Sequence, residues 1–354
     1  MAVACYAPPR VTTDDQRRLL YRWDLDKTYL RTEFDTVRDL IRTAFEPAAE
    51  KQTVPGAGAL LRELRATKPG GIFILSGSPE QMRKVLEAKL RLDGIQWDSF
   101  TLKPSVAMLL RGKFRFLRDQ VGYKLAALLA SRASGTGEFD EVCFGDDAEA
   151  DAFIYSLYAD LCAGRIGNDM LHAVLERARV YPDALPRLLR MAADLPRRDC
   201  VRRIFIHLDR MSSPDAFAEL GPRVCPFYNY FQPALVLLEQ GAIGADAALR
   251  VAAELVVSHA FTADALLASY EDVVRRGYAG PRAGTLLLEA GARLEAARFA
   301  SATPVLRTLL ERLPGVLPGF AEPAPMELPV IDYAALHTRD HARALAARRR
   351  ASRG

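Results

Sequence analysis

The sequence predicts an α/β protein, with a parallel-sheet domain in the first half and an all-α domain behind it. Three observations carry that expectation. Short apolar runs alternate with helical patterns between Leu19 and Ile166. Three of those runs end in small or acidic residues, and from Asn168 onward the chain turns to helical stretches rich in Ala, Leu and Arg.

The runs Leu19–Trp23, Ile72–Leu75 and Val142–Phe144 lead into Asp24, into Ser76-Gly77-Ser78-Pro79 and into Gly145-Asp146-Asp147. The carboxyl ends of strands carry the ligand crevice of a parallel sheet, so these three ends are expected to converge. Ser99–Leu102 reads as a further short strand and Val121–Leu129 as a helix. Ser78-Pro79-Glu80-Gln81 reads as a helix start, with Ser78 as N-cap, Pro79 at the first helical position and a capping-box partner behind them. Met82, Val85, Leu86 and Leu90 then share one helical face, and Gly94 is the expected stop.

Helices are expected over Met170–Val180, Ala247–Val257 and Ala263–Arg275, with no strand alternation between them. After Pro314, the prolines at 318, 323, 325 and 329 predict an extended linker and then a short helical tail ending in Arg348-Arg349-Arg350. The expected organisation is an N-terminal segment 1–18, an α/β domain 19–166, a helical domain 167–314 of unassigned role, and a linker and basic tail 315–354.

Composition narrows the function classes. Half of the 354 residues are apolar, enough for a substantial core, and a net charge of +4 from interspersed charges gives little support to a dedicated nucleic-acid binder. Met1–Arg18 lacks the order of a secretory signal, and the longest uncharged run, Val224–Leu238, is interrupted by Pro226, Asn229, Gln232 and Pro233. Neither export nor a membrane span is expected. Cys5, Cys143, Cys162, Cys200 and Cys225 are scattered and odd in number, which reads as reduced, mostly buried thiols of a cytoplasmic protein.

Asp24-Leu25-Asp26-Lys27-Thr28 sets two carboxylates two residues apart where a strand gives way to a loop. One can attack phosphorus while the other protonates the leaving oxygen and later activates water, although such a string also occurs in caps and turns. Ser76, with the N–H groups of Gly77 and Ser78, can cradle phosphate oxygens, while for Ser78 alone a helix cap is the stronger reading. Lys124 can neutralise the nucleophile and a bound phosphoryl group, or be one more surface lysine. The acids of Gly145-Asp146-Asp147-Ala148-Glu149-Ala150-Asp151 repel one another, which a divalent cation relieves; a solvated acidic loop is the rival reading.

In the order DxDxT, strand-Ser, Lys, strand-GDxxxxD, these motifs resemble the signature of the haloacid dehalogenase superfamily. More narrowly, Ser76-Gly77-Ser78-Pro79 and the segment from Gly145 to Tyr155 resemble the catalytic domain of actin-patch type phosphatidate phosphatases. The resemblance covers Leu19 to Ile166. It implies a HAD-like Rossmannoid domain, Asp24 as nucleophile and Asp26 as general acid/base. It further implies Thr28, Ser76, Gly77 and Lys124 around phosphate, and Mg2+ held by Asp24, Asp26, Asp146 and Asp151, with Asp147 the alternative to Asp151. Lys27 and the residues Asp147-Ala148-Glu149 depart from that family's usual pattern, and Trp23 is bulky for its place. They bear on the lipid substrate more than on the phosphatase chemistry. A soluble phosphate ester, a phosphoprotein or a nucleic-acid end is the rival substrate, and a non-catalytic interaction protein the rival class. A lipid substrate implies peripheral membrane contact, and Arg348–Arg350 could meet anionic lipid or simply be solvated. No large cap is evident between Thr28 and Ser76 or before Lys124. Pro226–Phe231 is expected as a core corner, and His337 with His341 as solvated tail residues without a third ligand.

Overall fold

β1 (Leu19–Asp24) is buried on both faces along its whole length, as a central strand of a parallel sheet must be. The computed structural model describes residues 18–31, 51–103, 120–291 and 301–336. Within them β1, β2 (Gly71–Pro79), β3 (Ser99–Lys103) and β4 (Asp140–Asp146) form where the sequence placed strands. β5 (Val201–His207) and β6 (Val224–Phe227) complete one parallel sheet in the order β3-β2-β1-β4-β5-β6. The chain winds from β1 out to β3, then crosses back to β4. The strand order therefore reverses between β1 and β4, and ligands bind outside the carboxyl ends at such a point.

Helices cover both faces. α1 (Ala57–Ala66) and α2 (Arg83–Leu92) follow β1 and β2, while α3 (Gln120–Ser131), α4 (Asp151–Ala163), α5 (Asn168–Arg177) and α6 (Leu185–Ala193) follow β3 and β4. α7 (Phe231–Glu239), α8 (Ala245–His259), α9 (Ala263–Arg275), α10 (Pro281–Gly291) and α11 (Thr303–Val316) come after the last strand. Alternation along the strands feeds two cores. Leu19, Tyr21 and Trp23 pack with α1, α2 and α7–α11, whereas Cys143, Ile204 and Ile206 pack with α3–α6. Trp23 faces the first core rather than the crevice: its ring stacks on Phe144 with centroids 3.9 Å apart, and Phe144 stacks on Phe205 at 4.9 Å.

Two expectations need correction. The stretch after Asn168 is not strandless, because β5 and β6 lie in it and extend the sheet beyond Ile166. Their patterns hide them: Arg202 and Arg203 interrupt β5, and β6 is four residues long and contains Pro226, which an edge strand tolerates because it needs no donor on its open side. Arg202 bonds Asp140 on β4, and Arg203 donates to the Pro222 carbonyl, so both guanidinium groups find acceptors in place. The linker also starts later than Pro314, since α11 runs through that proline to Val316. Gly94 does stop α2, at φ 71°, with Ile95 N–H bonded to the Leu90 carbonyl at 2.8 Å.

Tyr230 and Phe231 are fully buried, as expected of a core corner, although Tyr228 is exposed. Cys143, Cys162, Cys200 and Cys225 are buried and free. No helix among the described residues is long and apolar enough to cross a membrane. Cys5, His337, His341 and Arg348–Arg350 lie outside the described residues, as do parts of both intervals in which no cap was expected.

Candidate active site

The reversal point brings β1, β2 and β4 together at their carboxyl ends. Asp24 ends β1 and is fully buried. Its Oδ1 accepts a 2.8 Å hydrogen bond from Lys124 Nζ on α3, and its Oδ2 faces the Thr28 hydroxyl at 3.3 Å. Thr28 also reaches Asp146 Oδ2, at 3.5 Å, so this one hydroxyl bridges the β1 and β4 acids. Lys124 bonds Asp151 Oδ1, at the start of α4, and Glu149 Oε2 at 2.8 Å. Asp146 Oδ1 accepts the backbone N–H groups of Ala148 and Glu149, which folds the turn after β4 back over the strand end.

Gly145 is required by this packing. A β-carbon there would lie 2.5 Å from the Asp151 β-carbon, so only glycine lets α4 begin so close to β4.

Asp26 behaves differently from its neighbour. Its Oδ2 accepts hydrogen bonds from the hydroxyls of Ser76, at 2.8 Å, and Ser78, at 2.9 Å, while its Oδ1 is buried with no hydrogen-bond partner among the described residues. The expected cap is therefore corrected. β2 continues through Ser78 to Pro79, and the Ser78 side chain turns to Asp26 instead of capping a helix. Ser76 is committed too, accepting from Ser78 N–H at 2.9 Å. Among the described residues, a β-carbon at Gly77 would meet only Gln120 Nε2, at 4.0 Å.

Burial dominates the electrostatics. It raises the carboxyls of Asp24 and Asp146 well above the usual range, and their acidic neighbours add to the rise against the pull of Lys124. Asp151 is pushed up to about 6 by burial, again partly offset by Lys124. Burial likewise raises Asp26, joined by the charge of Glu149 and opposed by the two serine hydroxyls. Burial pushes Glu149 up, but Lys124, with help from Gln120 and Lys27, brings its carboxyl below the usual value.

Asp24, Asp146, Glu149 and Asp151 each offer a carboxylate oxygen, all within 4.8 Å of one another. A single lysine among four acids leaves a deficit of positive charge, and an all-oxygen set of this kind fits a hard divalent cation such as Mg2+. The cluster differs from the expected ligand set in two ways. Asp26 sends its carboxylate to the serines rather than into this cluster, and Glu149 joins it. Of the two alternatives Asp151 is in the cluster; Asp147 accepts the backbone N–H groups of Arg210 and Ser212.

Sequence reasoning missed three residues. Glu149 was passed over as part of an acidic run, although its place three residues beyond Asp146 marks the turn. His207 ends β5 opposite Asp146, and its Nδ1 lies 2.9 Å from the Lys27 carbonyl. Tyr230 donates to the Thr28 carbonyl at 2.5 Å. Both lie in the part read as strandless helix, so no local signal connected them to the crevice.

A parallel Rossmann-like sheet with acids and a lysine gathered at its reversal point is consistent with a HAD-like domain. Residues 23–170 match the family model described as phosphatidate phosphatase APP1, catalytic domain. The match ends inside α5, before β5 and β6. Comparisons with curated proteins and with solved structures give no match.

Proposed function

We propose that the protein is a magnesium-dependent phosphatidate phosphatase working through an aspartyl-phosphate on Asp24. The observation that carries this reading is the buried Asp24 carboxylate at the strand end, held 2.8 Å from Lys124 amid three further acids. Asp24 attacks phosphorus and the ester oxygen leaves with a proton from Asp26. Water, deprotonated in turn by Asp26, then displaces phosphate and restores Asp24. Burial raises Asp26, which favours the protonated form that the first step needs, and the two serine hydroxyls fix its orientation. Lys124, Thr28 and the Gly77 backbone receive the phosphoryl oxygens, with Ser76 shaping the loop beside them. Asp24, Asp146 and Asp151 would hold Mg2+, which shields the attacking carboxylate from the anionic ester and stabilises charge on the transferring group.

The family's description supports phosphatidate as the substrate. With no spanning helix among the described residues, the protein reaches that lipid by docking from the aqueous side, as a cytoplasmic and peripheral enzyme. α7–α11, which share a core with β1, serve as a buttress to the catalytic sheet and a candidate docking surface. The test compares phosphate release from phosphatidate in liposomes and mixed micelles with release from soluble phosphate esters, for the wild type and Asp24→Asn, with Mg2+ and after chelation. Turnover of soluble esters alone would remove the lipid assignment. Turnover surviving in Asp24→Asn would remove the nucleophile, and turnover surviving chelation would remove the metal.

A further inference from the structure

Lys124 has no donor to spare. Its ammonium carries three protons, and all three point at carboxylates: Asp24 Oδ1 at 2.8 Å, Glu149 Oε2 at 2.8 Å and Asp151 Oδ1. A lysine in this state cannot donate to a phosphoryl oxygen until one of the three lets go.

The three partners differ in their freedom to do so. Asp151 is fully buried, its second oxygen lies 3.3 Å from Asp146 N–H, and its β-carbon is pressed against Gly145. Asp24 is also fully buried and is held from its other side by Thr28. Glu149 alone has a partly exposed side chain, at 17 %. Its backbone is anchored by its own N–H to Asp146 Oδ1 at 2.9 Å, so the side chain, which Gln120 also holds, can rotate outward without moving the turn once that contact is released. It is also the longest of the three acids, with the most rotamers available for release.

We infer that Glu149 is an internal competitor for phosphate: its carboxylate occupies the Lys124 donor that the phosphoryl group needs, and it must swing out for substrate to bind and back for phosphate to leave. The inference rests on the reading of Lys124 as a phosphate-binding residue. Two anions cannot share one ammonium proton, and their repulsion across the site makes the two states exclusive. The arrangement keeps Lys124 charged and oriented between turnovers, and it helps to expel the product. Its cost is weaker binding of substrate. Glu149 is a positioning residue in this scheme, acting through Lys124.

The test is calorimetric titration of inorganic phosphate into the full chain at saturating magnesium chloride, for the wild type, Glu149→Gln and Glu149→Ala. Circular dichroism and melting temperature report the fold. Removal of the competing charge should tighten phosphate binding about tenfold in both variants, and more strongly in Glu149→Ala, which also lacks the amide acceptor. In steady state, KM and the phosphate inhibition constant should fall together while kcat drops, because product release slows. Loss of a merely structural residue would weaken binding instead. Phosphate binding that is unchanged or weaker in both variants, with the wild type binding normally, overturns the competitor role and leaves the phosphate site standing. If no form binds phosphate, the phosphate reading of Lys124 falls and this inference falls with it.

Discussion

The Tyr230 hydroxyl donates a 2.5 Å hydrogen bond to the Thr28 carbonyl, joining residues 202 positions apart. His207 lies 2.9 Å from the adjacent Lys27 carbonyl, and Lys27 adopts a left-handed φ of 58°, which a non-glycine residue holds only when its surroundings impose it. The loop that follows Asp24 is thus clamped by two side chains from β5 and the start of α7. Both lie beyond the segment that matches the family, so the second half of the chain completes the site's scaffold.

Tyr230→Phe tests that clamp with little other change, because the ring keeps its stacking on Trp23 at a centroid distance of 5.7 Å. Loss of one hydrogen bond should lower stability by about 1 kcal/mol. The larger effect is expected on kcat, roughly tenfold down, because sub-ångström misplacement of Thr28 and Asp24 is costly to an in-line displacement. Parallel measurement of denaturant midpoint and turnover separates the two; an unaltered kcat would show that the loop holds itself.

Asp146→Ala removes the acid that ties the β4 turn together and contributes to the four-carboxylate cluster. The magnesium concentration for half-maximal activity should rise by about tenfold or more, in line with the loss of one anionic oxygen ligand. In the wild type, Mg2+ should raise the melting temperature, since it binds only the folded cluster. A magnesium titration that overlays the wild-type curve would take Asp146 out of the metal site.

Gly145→Ala and Gly77→Ala make a contrasting pair. A β-carbon at 145 would stand 2.5 Å from the Asp151 β-carbon, so α4 must shift and carry Asp151 off Lys124. A stability loss of about 1–3 kcal/mol and a turnover loss of roughly 10²-fold are expected. At 77 the only neighbour within range among the described residues is Gln120 Nε2, at 4.0 Å, so stability should stay within about 0.5 kcal/mol. Activity should still drop there, because the methyl group fills the space a phosphoryl oxygen needs. Full activity in Gly77→Ala would move the phosphate away from that backbone.

The parts of the fold readable from sequence are those where local pattern and tertiary role agree. β1, β2 and β4 announce themselves because central parallel strands are buried on both faces and their ends carry Asp24, Ser76 and Asp146. β5 escapes because Arg202 and Arg203 mask its alternation, Arg202 being paired with Asp140 and Arg203 donating to the Pro222 carbonyl. Ser78 was misread for a related reason. A serine before proline looks like a cap, and only the proximity of Asp26, 52 residues away, draws its hydroxyl elsewhere. That Asp24, Lys124, Asp146 and Asp151 lie together was in reach because motif order survives folding. Tyr230 and His207 were not, since they act through backbone carbonyls that leave no trace in sequence.

A buried ion cluster beneath the site gives the protein a specific acid sensitivity. Glu141 on β4 bonds Arg22 Nε at 2.5 Å, while its Oε1 receives Arg22, Arg132 and the Tyr158 hydroxyl, each at 3.0 Å. Burial pushes the Glu141 carboxyl up, but the two guanidinium groups and the tyrosine outweigh it, and the net position is below the ordinary 4.5. A carboxyl lowered by folding stabilises the native state above its unfolded value, and that contribution disappears as pH falls through the folded one. Melting temperature should therefore hold from neutral pH down to about pH 4.5 as far as this group is concerned, then decline below it. Glu141→Gln should cost about 3–5 kcal/mol at neutral pH, because Arg22 and Arg132 are left buried with their charges unmatched. Its melting curve should also lose part of the wild-type decline in acid, since the titrating group is gone. Thermal denaturation of both proteins from about pH 3 to pH 7 measures the two effects together. A variant as stable as wild type at neutral pH, with the same acid limb, would mean that water or neighbouring carbonyls satisfy the arginines without Glu141.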